Sequence, residues 1–394
     1  MPKQTVKDLR NLRGERVFVR VDFNVPMAKG AIRDDTRIRA SQPTLDHLIK
    51  AGARLILASH LGRPPKGPDP ELSLSPVGAR LAELLGRPVM MAADCVGPQV
   101  RKMAGDLAEG GVLLLENVRF HAEEEANDPA FAARLIADSG ASVFVNDAFG
   151  SAHRAHASTE GVSHHVETSV AGLLMDKELR YLEMALEARE RPFVAVLGGA
   201  KVSDKIQVIE NLLPRVDALL IGGGMAYTFF RAQGLAIGKS LLEEDRLELA
   251  KSLLARGRGK LHLPSDHVVA AAFAADAEHH TSPVTEIPAG WMGLDIGPRT
   301  ARAFAEQVGR AKIVLWNGPL GVFELEPFAE GTRAMARALA EGTGTTIVGG
   351  GDSVAAVTQM GLADRITHVS TGGGAALEFL AGDPLPGVAC LEDA

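Results

Sequence analysis

The stretch 173–192, "LLMDKELRYLEMALEARERP", decides how the chain is organised. Apolar residues recur in it at helical spacing among charged ones and a proline closes it, so it reads as an amphipathic helix. The same plan appears on either side. Upstream, strand candidates "RVFVRVDF" (16–23), "RLILAS" (54–59), "VLLLEN" (112–117) and "SVFVND" (142–147) alternate with helical patterns such as "SPVGARLAELLG" and "DPAFAARLIADSG". Downstream the candidates are "FVAVLGG" (193–199), "ALLIGGG" (218–224), "HVVAAAF" (267–273), "KIVLWNG" (312–318), "TTIVGGG" (345–351) and "THVSTGGG" (367–374). Near-continuous apolar runs suit strands covered by helices on both faces. Strand–helix–strand alternation implies parallel sheets with right-handed crossovers. The expected fold is α/β: two doubly wound, Rossmann-like parallel-sheet domains joined by an interdomain helix and hinge. Expected boundaries are 1–172, 173–191 for the helix and hinge, 192–378, and a C-terminal tail at 379–394.

Length and composition agree with two domains. The chain has 394 residues, 46% hydrophobic and 23% charged, which excludes a disordered or fibrous protein. A net charge of −7 argues against a nucleic-acid or anionic-membrane partner. No apolar run reaches bilayer length, and the first twenty residues hold no apolar segment of signal type, so a cytoplasmic setting is expected. The two cysteines, Cys95 and Cys390, form neither a paired-spacing metal motif nor a disulfide framework.

Open parallel sheets bind ligands beyond the carboxyl ends of their strands. In the first half, the residues just past those ends are of one kind. The first strand leads to Asp22, Asn24 and Arg37, the second to His60 and Arg63, the third to Arg119 and His121, and the fourth to "DAFGSAHRAHAS" (147–158) with His153, Arg154 and His156. Any one of these is a solvated surface charge taken alone; four successive strands doing the same is not. Forked guanidinium groups converging on one cleft specify a small polyanion. A zinc site needs more ligands than His153 and His156 supply, and an arginine between them opposes a cation. Metal through His60 or His121 is the minority alternative; anion binding is the reading adopted.

The second half differs in kind. Gly-Gly-Gly runs at 222–224, 349–351 and 372–374 each come after an apolar strand and precede a helical pattern, so backbone N–H groups can approach a ligand at a positive helix end. "LGGAKVSDK" (197–205) adds Lys201 and Lys205, one helical turn apart if that segment is helical. Asp352 at a helix start is either a cap or a partner for Mg²⁺, and Glu324 either a ribose acceptor or a surface charge. A P-loop and a complete G-x-G-x-x-G are both absent, which excludes the first and weakens a dehydrogenase.

With these residues in place, the sequence resembles the phosphoglycerate kinase family. The motifs are "RVDFNVP" (20–26), "SHLGRP" (59–64), "ENVRFH" (116–121), "NDAFGSAHRAHAS" (146–158), "LGGAKVSDK" (197–205), "IGGGMAYTF" (221–229), "WNGPLGVFE" (316–324), "GGGDSVAA" (349–356) and "STGGGAALE" (370–378), in the family's order along the whole chain. The resemblance implies reversible, Mg²⁺-dependent phosphoryl transfer from 1,3-bisphosphoglycerate to ADP, giving 3-phosphoglycerate and ATP. It implies small-molecule partners only and a monomer, with the tail returning to the first domain. On the phosphoglycerate site it places Asp22, Phe23, Asn24, Arg37, His60, Leu61, Gly62, Arg63, Arg119 and Arg154. On the nucleotide site it places Gly199, Ala200, Lys201, Lys205, Gly224, Gly293, Asn317, Pro319, Gly321, Val322, Glu324, Gly350, Gly351, Asp352 and Ser353, with Asp352 linked to the metal. Arg37, Lys201, Gly372 and Gly373 meet the moving phosphoryl group. Ser353 stands where threonine is common, and Met27 where leucine is.

A carboxylate acceptor is already ionised near neutral pH, with an intrinsic pKa of about 3.3–3.7, so no general base is expected. His60 and its neighbours then read as positioning and charge-balancing groups. Ligands held on two domains imply hinge closure that expels water. The rival from another class, a two-lobed metabolite-binding protein, has no use for the paired lysines, Asp352 and glycine runs of the opposite lobe.

Overall fold

Val17, Phe18 and Val19 are completely buried, which is why the run around them forms an inner strand, β1 (Arg16–Arg20), rather than an exposed one. In the computed structural model, which describes residues 2–64, 67–187, 189–284 and 287–394, β1 belongs to the first of two six-stranded sheets. Its companions are β2 (Arg54–Ala58), β3 (Met90–Met91), β4 (Val112–Leu114), β5 (Val143–Asn146) and β6 (Thr168–Ala171). The order is β3-β4-β2-β1-β5-β6 and every pairing is parallel, with Val17 opposite Leu55 on one side and Val143 on the other. Successive strands leave β1 in opposite directions, so β1 marks the switch point where a crevice opens.

The second sheet repeats the arrangement with β7 (Phe193–Leu197), β8 (Ala218–Ile221) and β9 (Leu261–His262) on one side. Three further strands, β13 (Ile313–Asn317), β14 (Thr345–Gly349) and β15 (His368–Val369), complete the order β9-β8-β7-β13-β14-β15, again all parallel. The switch lies between β7 and β13. Trp316 is fully buried there, and its Nε1–H donates to the carbonyl of Gly318 at 2.8 Å, tying the core to the turn after β13.

One expected member of this sheet is elsewhere. "HVVAAAF" supplies β10 (Asp266–Ala270), which pairs antiparallel with both β11 (His279–Pro283) and β12 (Met292–Ile296) in a separate three-stranded sheet. Residues 271–278 are too few for the dozen or so that a parallel crossover requires, so the chain folds back from β10 into β11 as a hairpin, and β12 then pairs on the other edge of β10.

The chain divides into two compact units, Met1–Leu179 with Pro384–Ala394, and Arg180–Asp383. Helix Leu173–Glu187 passes from one to the other; residue 188 lies outside the described residues. Helix ends obey local chemistry. Helix Pro129–Ser139 starts behind Asp128, whose carboxylate accepts the Phe131 N–H at 2.8 Å, and stops at a left-handed Gly140. Such a cap is worth about 1 kcal/mol. No helix among the described residues is long and apolar enough to cross a membrane.

Candidate active site

In the first unit the residues after β1, β2 and β4 interlock. The Arg37 Nη1 donates to the Asn24 carbonyl at 2.9 Å and lies 3.3 Å from the Asp22 carboxylate. Asn24 in turn accepts the Gly62 N–H at 2.8 Å, and the Gly62 carbonyl accepts from Arg119 Nη1 at 2.8 Å. Phe23 and Leu61 are buried core side chains, so either can meet a ligand only through its backbone. The Arg119 side chain is 5% exposed and its Nε faces Glu125 at 3.2 Å without hydrogen-bond alignment. Burial foremost, then repulsion from Arg20 and Arg154, pulls Arg119 below its usual pKa against the opposing pull of Glu125. Arg154 donates from Nε to His153 Nε2 at 3.1 Å. Arg63 projects exposed from the loop after β2. The structure therefore gathers Asp22, Asn24, Arg37, Gly62 and Arg119 in one bonded network, with His60 and Arg154 within electrostatic reach.

The histidines depart from the expected charge-balancing role. Burial, then Arg20, Arg119 and Arg37, holds His60 well below its usual pKa of 6.5. Burial, then Arg119, Arg20 and Arg154, pushes His156 down to about 4, and burial with Arg154 lowers His153. All three are neutral at physiological pH, so they position and do not balance charge; the positive field comes from arginines alone. Arg20 Nη2 lies 3.0 Å from His60 Nδ1. A guanidinium can only donate, so Nδ1 accepts and the ring proton sits on Nε2, available to an anion's oxygen.

Arg20 itself escaped sequence reasoning. It ends β1, is 1% exposed, and donates to Ser158 Oγ at 2.7 Å as well as to His60. Ser158 donates to the fully buried Glu124 at 2.6 Å, which supplies Arg20 with a counter-charge. The available signal was an arginine ending a strand whose three preceding residues, Val17, Phe18 and Val19, are all apolar.

In the second unit two adjoining cavities lie at the switch point. The larger, about 630 Å³, is lined by Gly199, Ala200, Gly224, Gly293, Pro319, Gly321, Val322, Glu324 and Asp352, all expected from the sequence. It also takes in Leu241, Phe273, Met292, Leu294 and Leu325, which were not expected, with Lys239 beside them. Phe273 and Leu241 are 64% and 47% exposed, unusual for large apolar side chains; Phe273 was missed because β10 and its ribbon were misplaced. An apolar slot of this kind accepts a flat ring.

The smaller cavity, about 400 Å³, brings charged and polar side chains together with glycine backbone. Gly199, Ala200, Lys201, Lys205, Asn317, Pro319, Gly350, Gly351, Asp352 and Gly373 line it. Lys201 and Lys205 do not share a helical face: Lys201 is exposed in an irregular turn, and Lys205 ends the short turn Ser203–Lys205, buried, donating to Asn317 Oδ1. Asn317 Nδ2 is buried without a partner beside Gly350, whose φ of +88° and close approach demand glycine. Helices Gly351–Gln359 and Gly373–Ala381 both begin at this cavity, directing positive helix ends into it. Two expected residues stand back from it. Ser353 is buried with its hydroxyl accepting the Gly318 N–H at 2.7 Å, and the Gly372 N–H is engaged by Ser370 Oγ at 3.1 Å.

An arginine cradle at one switch point and a slot leading to lysines and helix N-termini at another define an α/β phosphotransferase. The family model described as "Phosphoglycerate kinase" matches residues 6–383. A cytosolic phosphoglycerate kinase of Triticum aestivum is 60% identical over 391 residues, covering 98% of this chain and 97% of that one. The phosphoglycerate kinase of Moorella thermoacetica is 59% identical with 100% of both covered. Among solved structures, those of phosphoglycerate kinases from Coxiella burnetii and Pyrococcus horikoshii match with TM-scores of 0.88 and 0.85 at 40% and 33% identity, each covering 99% of this chain and 98% of the other. The chain belongs to the phosphoglycerate kinase family.

Proposed function

We propose that the protein reversibly transfers the acyl phosphoryl group of 1,3-bisphosphoglycerate to ADP, giving 3-phosphoglycerate and ATP, in glycolysis and gluconeogenesis. The observation that carries this reading is the pairing of an arginine network in one unit with a slot-and-cradle cavity in the other, in a chain of this family. Arg37, Arg63, Arg119 and Arg154 bind the phosphoglycerate's anionic groups, and His60 offers its Nε2–H. The apolar slot takes the base, Glu324 the ribose, and the smaller cavity the phosphates. Lys201, exposed at the edge of that cavity, meets the transferring group; Lys205 holds the adjacent phosphates.

Asp352 fits a role toward Mg²⁺. It is exposed in the first turn of helix Gly351–Gln359 and lines both cavities. Mg²⁺ keeps several waters and takes its remaining ligands from one or two carboxylates and substrate phosphates, so a single aspartate suffices. When bound, the ion neutralises phosphate charge. The chain's own part is positioning and charge stabilisation, since the acceptor carboxylate needs no base. Because transfer requires reacting atoms about 3–3.5 Å apart, ligands on separate units imply closure about the helix between them. The protein acts as a cytoplasmic monomer on small molecules alone.

The test is acyl-phosphate formation from 3-phosphoglycerate and ATP, trapped with hydroxylamine. Product is expected with 3-phosphoglycerate and Mg²⁺, and none with 2-phosphoglycerate or without metal. Folded, ADP-binding protein that gives no product would reduce this reading to a binding module.

A further inference from the structure

We propose that Asp94, Cys95 and His121 form a binding site for a zinc-type divalent cation in the first unit, separate from the metal that accompanies the nucleotide. The cysteine Sγ, a carboxylate oxygen and an imidazole nitrogen all lie within 4.8 Å of one another. They come from two segments the fold brings together: the loop between β3 and helix Pro98–Gly105, and the turn after Val118–Phe120. Both segments are held in place independently of the cluster. The Gly97 N–H donates to Asp138 at 2.7 Å, and the His121 ring stacks on Phe131 with centroids 5.1 Å apart.

The donor set selects the cation. Thiolate and imidazole suit Zn²⁺ and its neighbours in the transition series, while Mg²⁺ demands oxygen. Tetrahedral Zn²⁺ with bonds of about 2.0–2.3 Å separates its ligand atoms by roughly 3.3–3.6 Å. His121 Nε2 and Asp94 Oδ1, now 2.7 Å apart, need only part slightly, and Cys95 Sγ need only draw in by about 1 Å. Asp94 is 50% exposed and provides the entry, leaving the fourth position to water. The charged neighbours that act on the thiol, Asp94 and Glu124, are both carboxylates, so the local field attracts a cation. Binding replaces the S–H proton, which passes to solvent as the metal–sulfur bond forms.

The probe is Co²⁺, titrated anaerobically into the full-length, metal-free protein in the presence of excess Mg²⁺. A thiolate-to-cobalt charge-transfer band saturating at one equivalent, and reversed by Zn²⁺, is expected. Cys390→Ser should keep the band and Cys95→Ser abolish it, with His121→Ala and Asp94→Asn each weakening cobalt binding about tenfold or more. A wild-type protein with no such band overturns the proposal, as does loss of the band in Cys390→Ser or its survival in Cys95→Ser. The first two of those outcomes do not depend on the folding of a Cys95 variant.

Discussion

Lys205 sits where burial lowers its pKa from 10.5 to about 8, against the pull of Asp204 and Asp352. The folded protein therefore binds fewer protons than the unfolded chain between pH 8 and 10.5, and the ligand-free protein gains stability from this group as pH rises through that window. A polyphosphate reverses the preference, because it stabilises the ammonium. Calorimetric ADP affinity should fall as pH is raised through about 8. Lys205→Ala should weaken ADP by roughly 10- to 100-fold, the worth of a charged hydrogen bond, and erase that pH dependence. An unchanged profile in the variant would assign the titration to another group. Lys201, exposed in its irregular turn, should behave differently: Lys201→Ala should lower kcat far more than it raises KM, since its interaction strengthens only with the moving phosphoryl group. The type of these residues was legible in the sequence, because few other reasons place lysines in a glycine-rich strand–helix turn. Their geometry was not, since the segment folds as an irregular turn and the four-residue spacing then carries no facial information. The lowered pKa of His60 was equally hidden: it depends first on burial and then on Arg20, forty positions away.

Helix Leu173–Glu187 begins on a buried acid. The Leu174 and Met175 N–H groups donate to Asp147 Oδ1 at 2.9 and 3.2 Å, and burial raises this carboxyl to about 7 against those bonds. Its folded pKa thus lies above the unfolded value, so the fold holds an extra proton between about pH 4 and 7. Stability from this group is full at low pH and is lost as pH rises through 7. Asp147→Asn keeps the carbonyl that caps the helix and removes the ionisation. Its stability relative to wild type should grow by about 2 kcal/mol between pH 5 and 8, measured by denaturant unfolding. A constant offset across that range would refute the assignment. At this scale the long inner strands were readable because burial on both faces leaves continuous apolar runs. Two-residue edge strands such as β3 and β9 leave no such run. The ribbon β10–β12 was misassigned because its central strand looks as apolar as a parallel one, and only the shortness of the link from β10 to β11 distinguishes the two.

The chain starts in the first unit, builds the second, and comes back. Residues Pro384–Ala394 belong to the first unit by contact, and their bonds lie at its functional edge. Asn146 Nδ2 donates to the Gly387 carbonyl at 2.8 Å, and the Gly387 N–H to the Ala152 carbonyl at 2.9 Å, so the tail clamps the start of the 147–158 segment that carries Arg154. Further along, Glu392 pairs with both Ser169 and Gln4 through backbone bonds of 2.9 Å, joining the tail to β6 and the N-terminal segment. Leu385 and Leu391 are each 3% exposed, and burial of such side chains is worth about 1.5–3 kcal/mol apiece. Deleting residues 384–394 removes all of this from one unit and nothing from the cavities of the other. Calorimetry on the truncated protein should show 3-phosphoglycerate affinity reduced at least about tenfold, the scale of the lost contacts. ADP affinity should stay within about twofold, and ADP should still raise the melting temperature by linkage. The alternative, that the tail supports the molecule as a whole, requires both affinities to fall together. Separate titrations of the two ligands decide between them, because each reads the integrity of one unit.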